Sequence, residues 1–339
     1  MKIYSNYSLL QHNTFHFDAK AKIYAEYESV DELRNLLTIY RDEKILHIGG
    51  GSNLLFVSDF NGLVLHSLIK FHDIVSEDEN EVKIRAGSGV VFDEFIDYAI
   101  SKGWGGAENL SYIPGEVGAS AVQNIGAYGV EVKDIISEVE ALDIETLRIR
   151  RFSPAECKYG YRDSIFKNEL KGKYIITAVV FQLHKQPVLQ LDYGNVRQSL
   201  SDIENPTIAN VRKAITNIRK QKLPEVSELG SAGSFFKNPV ITDRHFEDLK
   251  SSYPEMPYYD APDGAGKKIP AAWLITVAGL KGKAVGGAQI YEKQPLVIVN
   301  KGNAQPSDVV ALAGLVQKTV KEKFGISLEP EVNYIGYFY

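Results

Sequence analysis

The chain has 339 residues, 44% hydrophobic and 24% charged, the composition of a globular protein large enough for two or three domains. A formal net charge of −5 argues against a general nucleic-acid binder, and the single cysteine, Cys157, excludes an intrachain disulfide and a cysteine-rich metal site. The N-terminus has no apolar signal core and no later run is long enough to span a bilayer, so we expect a cytoplasmic protein.

Apolar periodicity predicts alternating helices and strands in the first half of the chain. Helices are predicted at 28–41 and 93–102, and strands at 44–48, 62–66, 81–86, 134–151 and 173–184. Residues 105–130 are rich in Gly, Ala and Ser and have little periodicity. This composition is typical of a functional loop region that contains a short helix.

Helical periodicity predominates in the rest of the chain. A helix is predicted over 206–220, and the basic residues that follow it before Pro224 indicate a boundary to a second region. Further helices are predicted at 243–252, 270–280 and 307–324, and strands at 296–300 and 328–336. Mixed helices and strands in this order indicate an α+β protein.

The first candidate binding segment is Gly49-Gly50-Gly51-Ser52-Asn53, directly after the strand at 44–48. Successive glycine amides can form a concave nest for a phosphate or diphosphate, with added hydrogen bonds from Ser52 and Asn53. The segment has neither the Gly-Lys-Ser/Thr of a Walker loop nor the spacing of a Rossmann fingerprint. By itself it predicts either a phosphate site or a tight turn.

A second glycine-rich segment, residues 113–129, favours the ligand interpretation. It begins with Ile113-Pro114-Gly115 and ends with Gly126-Ala127-Tyr128-Gly129. Small residues at this density allow the main chain to lie flat against a large planar or phosphorylated ligand. Two such loops, each after a strand, indicate a dinucleotide or a flavin.

Residues 230–239, Gly-Ser-Ala-Gly-Ser-Phe-Phe-Lys-Asn-Pro, are a third candidate segment. Ser234 can offer a proton, Lys237 a positive charge, and Asn238 both a donor and an acceptor. The segment predicts either a small-molecule site or a tight strand connection.

Three further candidates have two interpretations each. Arg162 can pair with a carboxylate in a bidentate way or form a surface or interdomain ion pair. Tyr193 is either a mobile lid residue or a turn tyrosine. Glu331, on the same face of the predicted terminal strand as Glu329, either assists proton chemistry or is an exposed edge charge. No metal site is predicted from the histidines.

Together these segments resemble the UDP-N-acetylenolpyruvoylglucosamine reductases, flavoproteins of peptidoglycan precursor synthesis. The matching motifs, in the family's order, are residues 13–15, 49–54, 113–115, 123–129, 160–166, 222–224, 233–239, 280–282, 286–288 and 328–332. They span almost the whole chain. Residues 187–196 resemble the extra tyrosine loop of the longer, type I form of the family, whereas Thr276 departs from an expected acidic residue.

The resemblance implies an α+β fold with a FAD-binding region of the vanillyl-alcohol-oxidase (PCMH) type and a smaller α+β substrate-binding domain. The FAD-binding region would comprise residues 1–220, in two subdomains divided near residue 70. Residues 221–325 would form the substrate-binding domain, and residues 326–339 a C-terminal strand that returns to the FAD-binding region. We expect a monomer without nucleic-acid or membrane partners.

The implied reaction is the NADPH-dependent reduction of UDP-N-acetylenolpyruvoylglucosamine to UDP-N-acetylmuramate. NADPH, a co-substrate, would reduce non-covalent FAD, and the reduced flavin would deliver hydride to the vinyl carbon remote from the carboxylate. A covalent flavin is not expected, because residues 113–129 contain neither His nor Cys. The protein would be a cytoplasmic oxidoreductase that serves cell-wall biogenesis and, through it, cell shape and division.

The resemblance also implies a role for each candidate residue. Arg162 would neutralise charge on the substrate carboxylate, Glu331, if protonated, would hydrogen-bond the same oxygens, and Ser234 would give a proton to the carbanionic carbon. The implied cofactor-binding residues are Gly49, Gly50, Gly51, Ser52, Asn53, Leu54, Ile113, Pro114, Gly115, Gly118, Ala119, Asn124, Gly126, Ala127 and Arg219. The implied substrate-binding residues are Tyr128, Tyr161, Tyr193, Lys222, Lys237, Asn238, Lys268 and Gln294, with Tyr193 as a lid.

Two other functions remain open from the sequence. An oxidase of the same flavin fold, acting on a sugar, lactone or alcohol, would share the glycine loops but has no need of Ser234, Glu331 and the run at 233–239. A non-enzymatic nucleotide-sugar sensor could also retain the fold. For a sensor, Ser234→Ala would leave ligand binding and function unchanged.

Overall fold

The computed structural model describes residues 1–261 and 264–336 and divides them into two compact units. Unit 1 contains Met1–Ser8, Lys20–Gly50 and Phe60–Lys220, and unit 2 contains Leu9–Ala19, Gly51–Asp59 and the chain from Gln221 onward. Across the described ranges, no helix has the length and apolar character needed to cross a membrane.

The helices are α1 (Val30–Ile39), α2 (Phe92–Ser101), α3 (Val117–Gln123), α4 (Val196–Ser199), α5 (Ile208–Lys222), α6 (Asp243–Ser252), α7 (Ala271–Val277) and α8 (Pro306–Phe324). The strands of the first half are β1 (Lys2–Ser8), β2 (Lys20–Tyr27), β3 (Ile45–Ile48), β4 (Leu54–Phe56), β5 (Phe60–Ser67), β6 (His72–Glu77), β7 (Glu81–Gly87), β8 (Gly126–Ala127), β9 (Val130–Glu131), β10 (Ile136–Asp143), β11 (Ile149–Phe152) and β12 (Tyr174–His184). The later strands are β13 (Gly230–Ser234), β14 (Val240–Ile241), β15 (Tyr259–Asp260), β16 (Lys267–Lys268), β17 (Ala284–Val285), β18 (Ala288–Ile290), β19 (Val297–Asn300) and β20 (Asn333–Ile335).

Unit 1 is built on two larger sheets. The first has the order β1-β2-β5-β3, in which β5 runs parallel to β2 and β3 while β1 is antiparallel to β2. The second is antiparallel, with the order β11-β10-β12-β7-β6. Its central strand β12 is a nearly continuous run of buried residues, because α3 packs against it.

Unit 2 combines three small sheets with α6, α7 and α8. Their strand orders are β13-β19-β18-β17, β14-β16-β15 and β20-β4. The helix α8 begins with a capping box between Gln305 and Asp308 and ends at Gly325, whose φ of 71° suits glycine. Its buried face and the rings of Phe235 and Phe236 belong to one hydrophobic core.

Most predicted elements are present, and the exceptions have physical reasons. The predicted terminal strand at 328–336 is wrong in length, because only Asn333–Ile335 is regular strand. Pro330, which has no N–H to donate, interrupts the segment before it. The strands that were not predicted include β1, β2, β6 and the short strands β13 to β18. Strand β1 is exposed along most of its length, so it lacks the apolar alternation of a half-buried strand.

The sequence resemblance implies that residues 1–220 form one region. Two short segments of that range belong to unit 2 in the structure. Residues Leu9–Ala19 and Gly51–Asp59 place Phe15, Phe17 and Leu55 in the unit 2 core. The C-terminal strand β20 pairs in parallel with β4, which lies in the second of these segments. Unit 2 is therefore assembled from three separate parts of the chain.

His47 on β3 is expected to make unit 1 sensitive to acid. Its Nε2 lies 2.7 Å from the Tyr27 hydroxyl, and burial, with a smaller effect of nearby His66, lowers the pKa of His47 from 6.5 to about 3. Between these values the unfolded chain binds a proton that the folded chain does not. The free energy of unfolding should therefore fall by up to about 1.4 kcal/mol for each pH unit of acidification across this window.

Chemical denaturation of the wild type and His47→Gln from about pH 7 to about pH 4 checks this expectation. The difference in unfolding free energy between the two proteins should change with pH, with the wild type losing more on acidification. A difference that is constant across the range contradicts the assignment to His47.

Candidate functional site

The two glycine-rich segments meet in unit 1. A Cβ placed on Gly50 would lie 3.4 Å from the Cα of Gly115, and one placed on Gly49 would lie 3.2 Å from the Cβ of Ala119. The main chains approach this closely because the facing positions carry no or small side chains. The arrangement is a narrow cradle of main-chain groups, and the residues present fit the phosphate-bearing part of a dinucleotide cofactor.

The rest of the first glycine segment belongs to unit 2. Gly51 has a φ of 66°, and a Cβ there would lie 2.0 Å from the carbonyl oxygen of His12. The same residue accepts a hydrogen bond from the Thr14 main-chain N–H at 3.3 Å. Gly51 is therefore required by its backbone conformation and by close main-chain packing, whatever it contributes to a ligand.

Asn124 is a structural centre of unit 1. It is fully buried at the end of α3, and its Nδ2 donates to the Gly160 carbonyl at 2.6 Å and to Glu131 Oε2 at 3.2 Å. Its Oδ1 accepts from the Lys133 main-chain N–H at 3.2 Å. The side chain of Asn124 therefore supports the turn that begins at Gly160, and its main-chain N–H donates to the Ser120 carbonyl. Its cofactor role stays a prediction.

That turn presents Arg162, a predicted catalytic residue. The guanidinium donates to the carbonyl oxygen of Gly126 and, at 3.4 Å, to that of Asn124, and it lies 5.2 Å from the ring of Tyr161. The neighbouring acid Asp163 instead accepts from the Asn168 side chain at 2.9 Å. The geometry therefore directs Arg162 to the second glycine loop.

Four residues in or next to the same loops have a left-handed backbone. Tyr112, Asn124, Tyr128 and Arg162 have φ angles of 60°, 45°, 47° and 53°, in the left-handed region that non-glycine residues rarely adopt. Such conformations cost about 1–3 kcal/mol each and are retained mainly where function requires them. Their grouping is consistent with the functional loops predicted from the sequence, although no local sequence pattern predicted the left-handed backbone itself.

Arg219 on α5 connects to this region. Its Nε donates to the Tyr112 carbonyl at 3.0 Å. Burial lowers the pKa of Arg219, whereas burial raises the pKa of Tyr128, and the positive charge of nearby Arg219 opposes that rise. Arg219 thus contacts the residue directly before the second glycine loop, and its charge acts on Tyr128 within that loop.

The third candidate segment ends a strand in unit 2 and exposes Ser234. The register of β13 against β19 shifts between Ser231 and Ser234, and Gly233 has a φ of 69°. After this irregularity Ser234 is exposed while Phe235 and Phe236 are both buried. The segment is therefore a strand end, anchored by two aromatic rings, that presents the serine. The small-molecule site stays a prediction.

Glu331 lies in a segment bonded to that strand end. Its main-chain N–H donates to the Phe235 carbonyl at 2.8 Å, and the Asn53 side chain donates to the Glu331 carbonyl at 3.2 Å. One residue earlier in the segment, Pro330 forms an isolated bridge with Phe236. Two of the three predicted catalytic residues thus belong to adjoining main-chain segments of unit 2.

The predicted substrate-binding residues of unit 2 fall into different environments. Lys237 lies 3.7 Å from Glu329, an exposed carboxylate, and Asn238 Oδ1 accepts from the Ala271 N–H at 2.9 Å, where it caps the start of α7. The Oδ1 of Asn238 is thus used in the fold, and its Nδ2 is the side-chain atom that can donate to substrate. Lys268 lies on β16, paired with both Val240 and Tyr259.

The two remaining predicted contacts are at element ends. Lys222 is the exposed last residue of α5. Gln294 is half-buried in the turn before β19, and its carbonyl accepts from the Val297 N–H at 2.9 Å. In unit 1, Tyr128, Tyr161 and Tyr193 are each half-buried.

The cradle between the glycine loops gives a direct prediction for cofactor affinity. Gly50→Ala adds a Cβ 3.4 Å from Gly115 Cα without a positive φ, so it should fill the cradle without unfolding the chain. We expect FAD to bind about 10- to 100-fold more weakly, measured by fluorescence titration of the apoprotein. Gly314→Ala, on α8 in open space, is the matched control and should leave FAD affinity unchanged. Equal affinity in both variants contradicts the cradle.

Comparisons with known proteins agree with this geometry. Residues 21–152 match the family model of a FAD binding domain, and residues 224–335 match the C-terminal domain of UDP-N-acetylenolpyruvoylglucosamine reductase. Reductases of that name from Bacteroides fragilis and Flavobacterium johnsoniae are 50% and 44% identical, over 97% and 99% of this chain and 99% and 100% of their own lengths.

The fold is also that of a solved relative. The crystal structure of the UDP-N-acetylenolpyruvylglucosamine reductase from Thermus caldophilus matches with a TM-score of 0.69 and 23% identity, over 98% of both chains. The predicted α+β fold with a FAD-binding region of PCMH type and the FAD cofactor are confirmed. With relatives of this identity along almost its whole length, the chain belongs to the UDP-N-acetylenolpyruvoylglucosamine reductase family.

Proposed function

We propose that this chain reduces the enolpyruvyl ether of UDP-N-acetylglucosamine to UDP-N-acetylmuramate. FAD, when bound, supplies the hydride chemistry, since it accepts a hydride from NADPH and transfers one to the vinyl carbon remote from the carboxylate. The observation that carries the proposal is the bond from the Glu331 N–H to the Phe235 carbonyl at 2.8 Å, which joins the Glu331 segment to the strand end that presents Ser234.

Ser234 is assigned the proton transfer. When hydride adds to one carbon of the double bond, an electron pair is left on the neighbouring carbon and shared with the carboxylate. A serine hydroxyl is a weak acid, so it can protonate only a strongly basic acceptor, and this carbanionic carbon is one. Hydride and proton together complete the saturated lactyl ether.

The developing negative charge is assigned to Arg162 and Glu331. The carbonyl oxygens of Gly126 and Asn124 accept hydrogen bonds from Arg162 and orient its guanidinium, which favours charge-assisted hydrogen bonds to the carboxylate. Glu331 in its protonated form would donate to the same oxygens. Preorganised donors of this kind stabilise charge without reorganising during the reaction.

The remaining assignments concern binding. Lys222, Lys237 and Lys268 provide positive charge for the diphosphate of the UDP-sugar or the phosphates of NADPH, and Tyr193 closes over the ligand. We assign FAD binding mainly to residues 1–220 and substrate binding mainly to residues 221–325. We further propose a monomer that works in the cytoplasm, where its nucleotide substrates are made.

Product identification tests the proposal. Purified protein with FAD, NADPH and the enolpyruvyl ether should yield a UDP-sugar heavier than the substrate by the mass of two hydrogens, with one NADPH oxidised per product. The alternative oxidase predicts consumption of oxygen with a simple sugar, lactone or alcohol in the absence of NADPH. That result, without reduction of the enolpyruvyl ether, would overturn the proposal.

A further inference from the structure

Asn109, a buried residue without a role in the proposed chemistry, connects two segments that carry predicted substrate contacts. It lies in the 3-10 helix Glu108–Leu110 and is 1% exposed. Its Nδ2 donates to the carbonyl oxygen of Tyr128 at 2.9 Å and to that of Gln190 at 2.8 Å. Both amide hydrogens are therefore bound to main-chain acceptors, one at the β8–β9 hairpin and one in the tyrosine loop, residues 187–196.

The hairpin and the tyrosine loop also pack side by side. Gly129 has a φ of 83°, and a Cβ there would lie 3.3 Å from the Cβ of Tyr193. A Cβ on Gly194 would lie 3.8 Å from the ring of Tyr128. The position of Tyr193 therefore depends on how the tyrosine loop is held against the hairpin.

We propose that Asn109 is a positioning residue for substrate binding, whose amide holds Tyr128 and Tyr193 in the arrangement that receives the UDP-sugar. The identity of this ligand rests on the proposed function. Leu189 and Leu191 pack against the hydrophobic cluster of α4 and α5, on either side of the tethered Gln190 carbonyl. The hydrogen bond from Asn109 to the Gln190 carbonyl, here called the tether, therefore confines motion of the tyrosine loop to the residues after Gln190, which include Tyr193.

Three variants separate the tether from other effects. Asn109→Leu keeps the approximate shape but removes both donors, and Asn109→Asp places a carboxylate against two carbonyl oxygens. Gln190→Ala is the matched control, because the exposed Gln190 side chain is removed while its main-chain carbonyl remains. Having two Asn109 variants keeps the test decisive if one of them does not fold.

The first readout is hydrogen–deuterium exchange of the FAD-loaded proteins. Loss of two buried hydrogen bonds should raise exchange in the tyrosine loop by about tenfold or more in either Asn109 variant, while β12, which precedes it, stays as in the wild type. The second readout is steady-state kinetics, where KM for the enolpyruvyl substrate should rise about tenfold with a smaller change in kcat. Gln190→Ala should match the wild type in both.

Each other outcome overturns the proposal in a recognisable way. Unchanged exchange in the tyrosine loop means that Asn109 does not tether it. A uniform rise across the protein means that Asn109 is only a core residue, and a local rise with unchanged KM means that the tether does not position the substrate contacts. If the wild type does not turn over the enolpyruvyl ether at all, the proposed function fails, whereas the exchange result still reports on the tether.

Discussion

Ser234→Ala is expected to separate the two halves of the catalytic cycle. Reduction of bound flavin by NADPH should stay within about twofold of the wild type, because no proton from Ser234 is needed there. Reaction of the reduced enzyme with the enolpyruvyl substrate should slow by about 10²–10⁴-fold, the range that a positioned general acid contributes. Anaerobic stopped-flow absorbance of the flavin measures each half-reaction separately.

The structure indicates that this substitution should not lower the stability of the protein. Ser234 is exposed at the end of β13, and the anchoring of the strand end comes from the buried rings of Phe235 and Phe236. Exposed Ser252, the last residue of α6, gives a matched control in Ser252→Ala, which should leave both half-reactions unchanged. Equal damage to both half-reactions in Ser234→Ala would refute the proton-donor role.

Arg162→Met is expected to have the second largest effect on turnover. Without the guanidinium, nothing from this residue offsets the charge that develops on the substrate carboxylate, and kcat with the enolpyruvyl substrate should fall by about 10²–10³-fold. Arg162→Lys keeps the charge but not the fork that Gly126 and Asn124 orient, so its rate should lie between those of Arg162→Met and the wild type.

Controls distinguish this effect from a general loss of positive charge. Arg41→Met removes an arginine whose side chain is 80% exposed, also in unit 1, and should leave kcat unchanged. The melting temperature of Arg162→Met should remain close to that of the wild type, because the left-handed turn is supported independently by the Asn124 side chain at Gly160. A rate of Arg162→Met equal to that of the wild type would remove Arg162 from the catalytic assignment.

Local sequence patterns predicted the helices whose start and end signals lie in or next to the helix itself. The prediction of a helix at 243–252 matches α6, where the Thr242 side chain accepts from the His245 N–H at 3.3 Å and caps the first turn. The prediction at 307–324 matches α8, which has a capping box at its start and a glycine at its end. The terminal strand predicted at 328–336 is too long, because Pro330 lies within the alternating run and has no N–H to donate to a neighbouring strand.

The sequence predicted the residue types of the site and the groups of residues that are close along the chain. It did not predict the contacts between distant parts of the chain. The glycine loops were identified from composition, and the structure brings Gly50 and Gly115 together. The roles of Asn109 and Asn124 were missed, since their hydrogen bonds reach main-chain carbonyls 81 and 36 residues away. The left-handed backbone at Arg162 has no signal either, because arginine ordinarily avoids it.

Anaerobic visible spectroscopy of the purified wild type tests the central claim most directly. The FAD-loaded protein should show a flavin spectrum that NADPH bleaches promptly, and addition of UDP-N-acetylenolpyruvoylglucosamine should restore the oxidised spectrum without oxygen. Bleaching by a simple sugar in place of NADPH, or failure of the enolpyruvyl ether to restore the spectrum, would contradict the account.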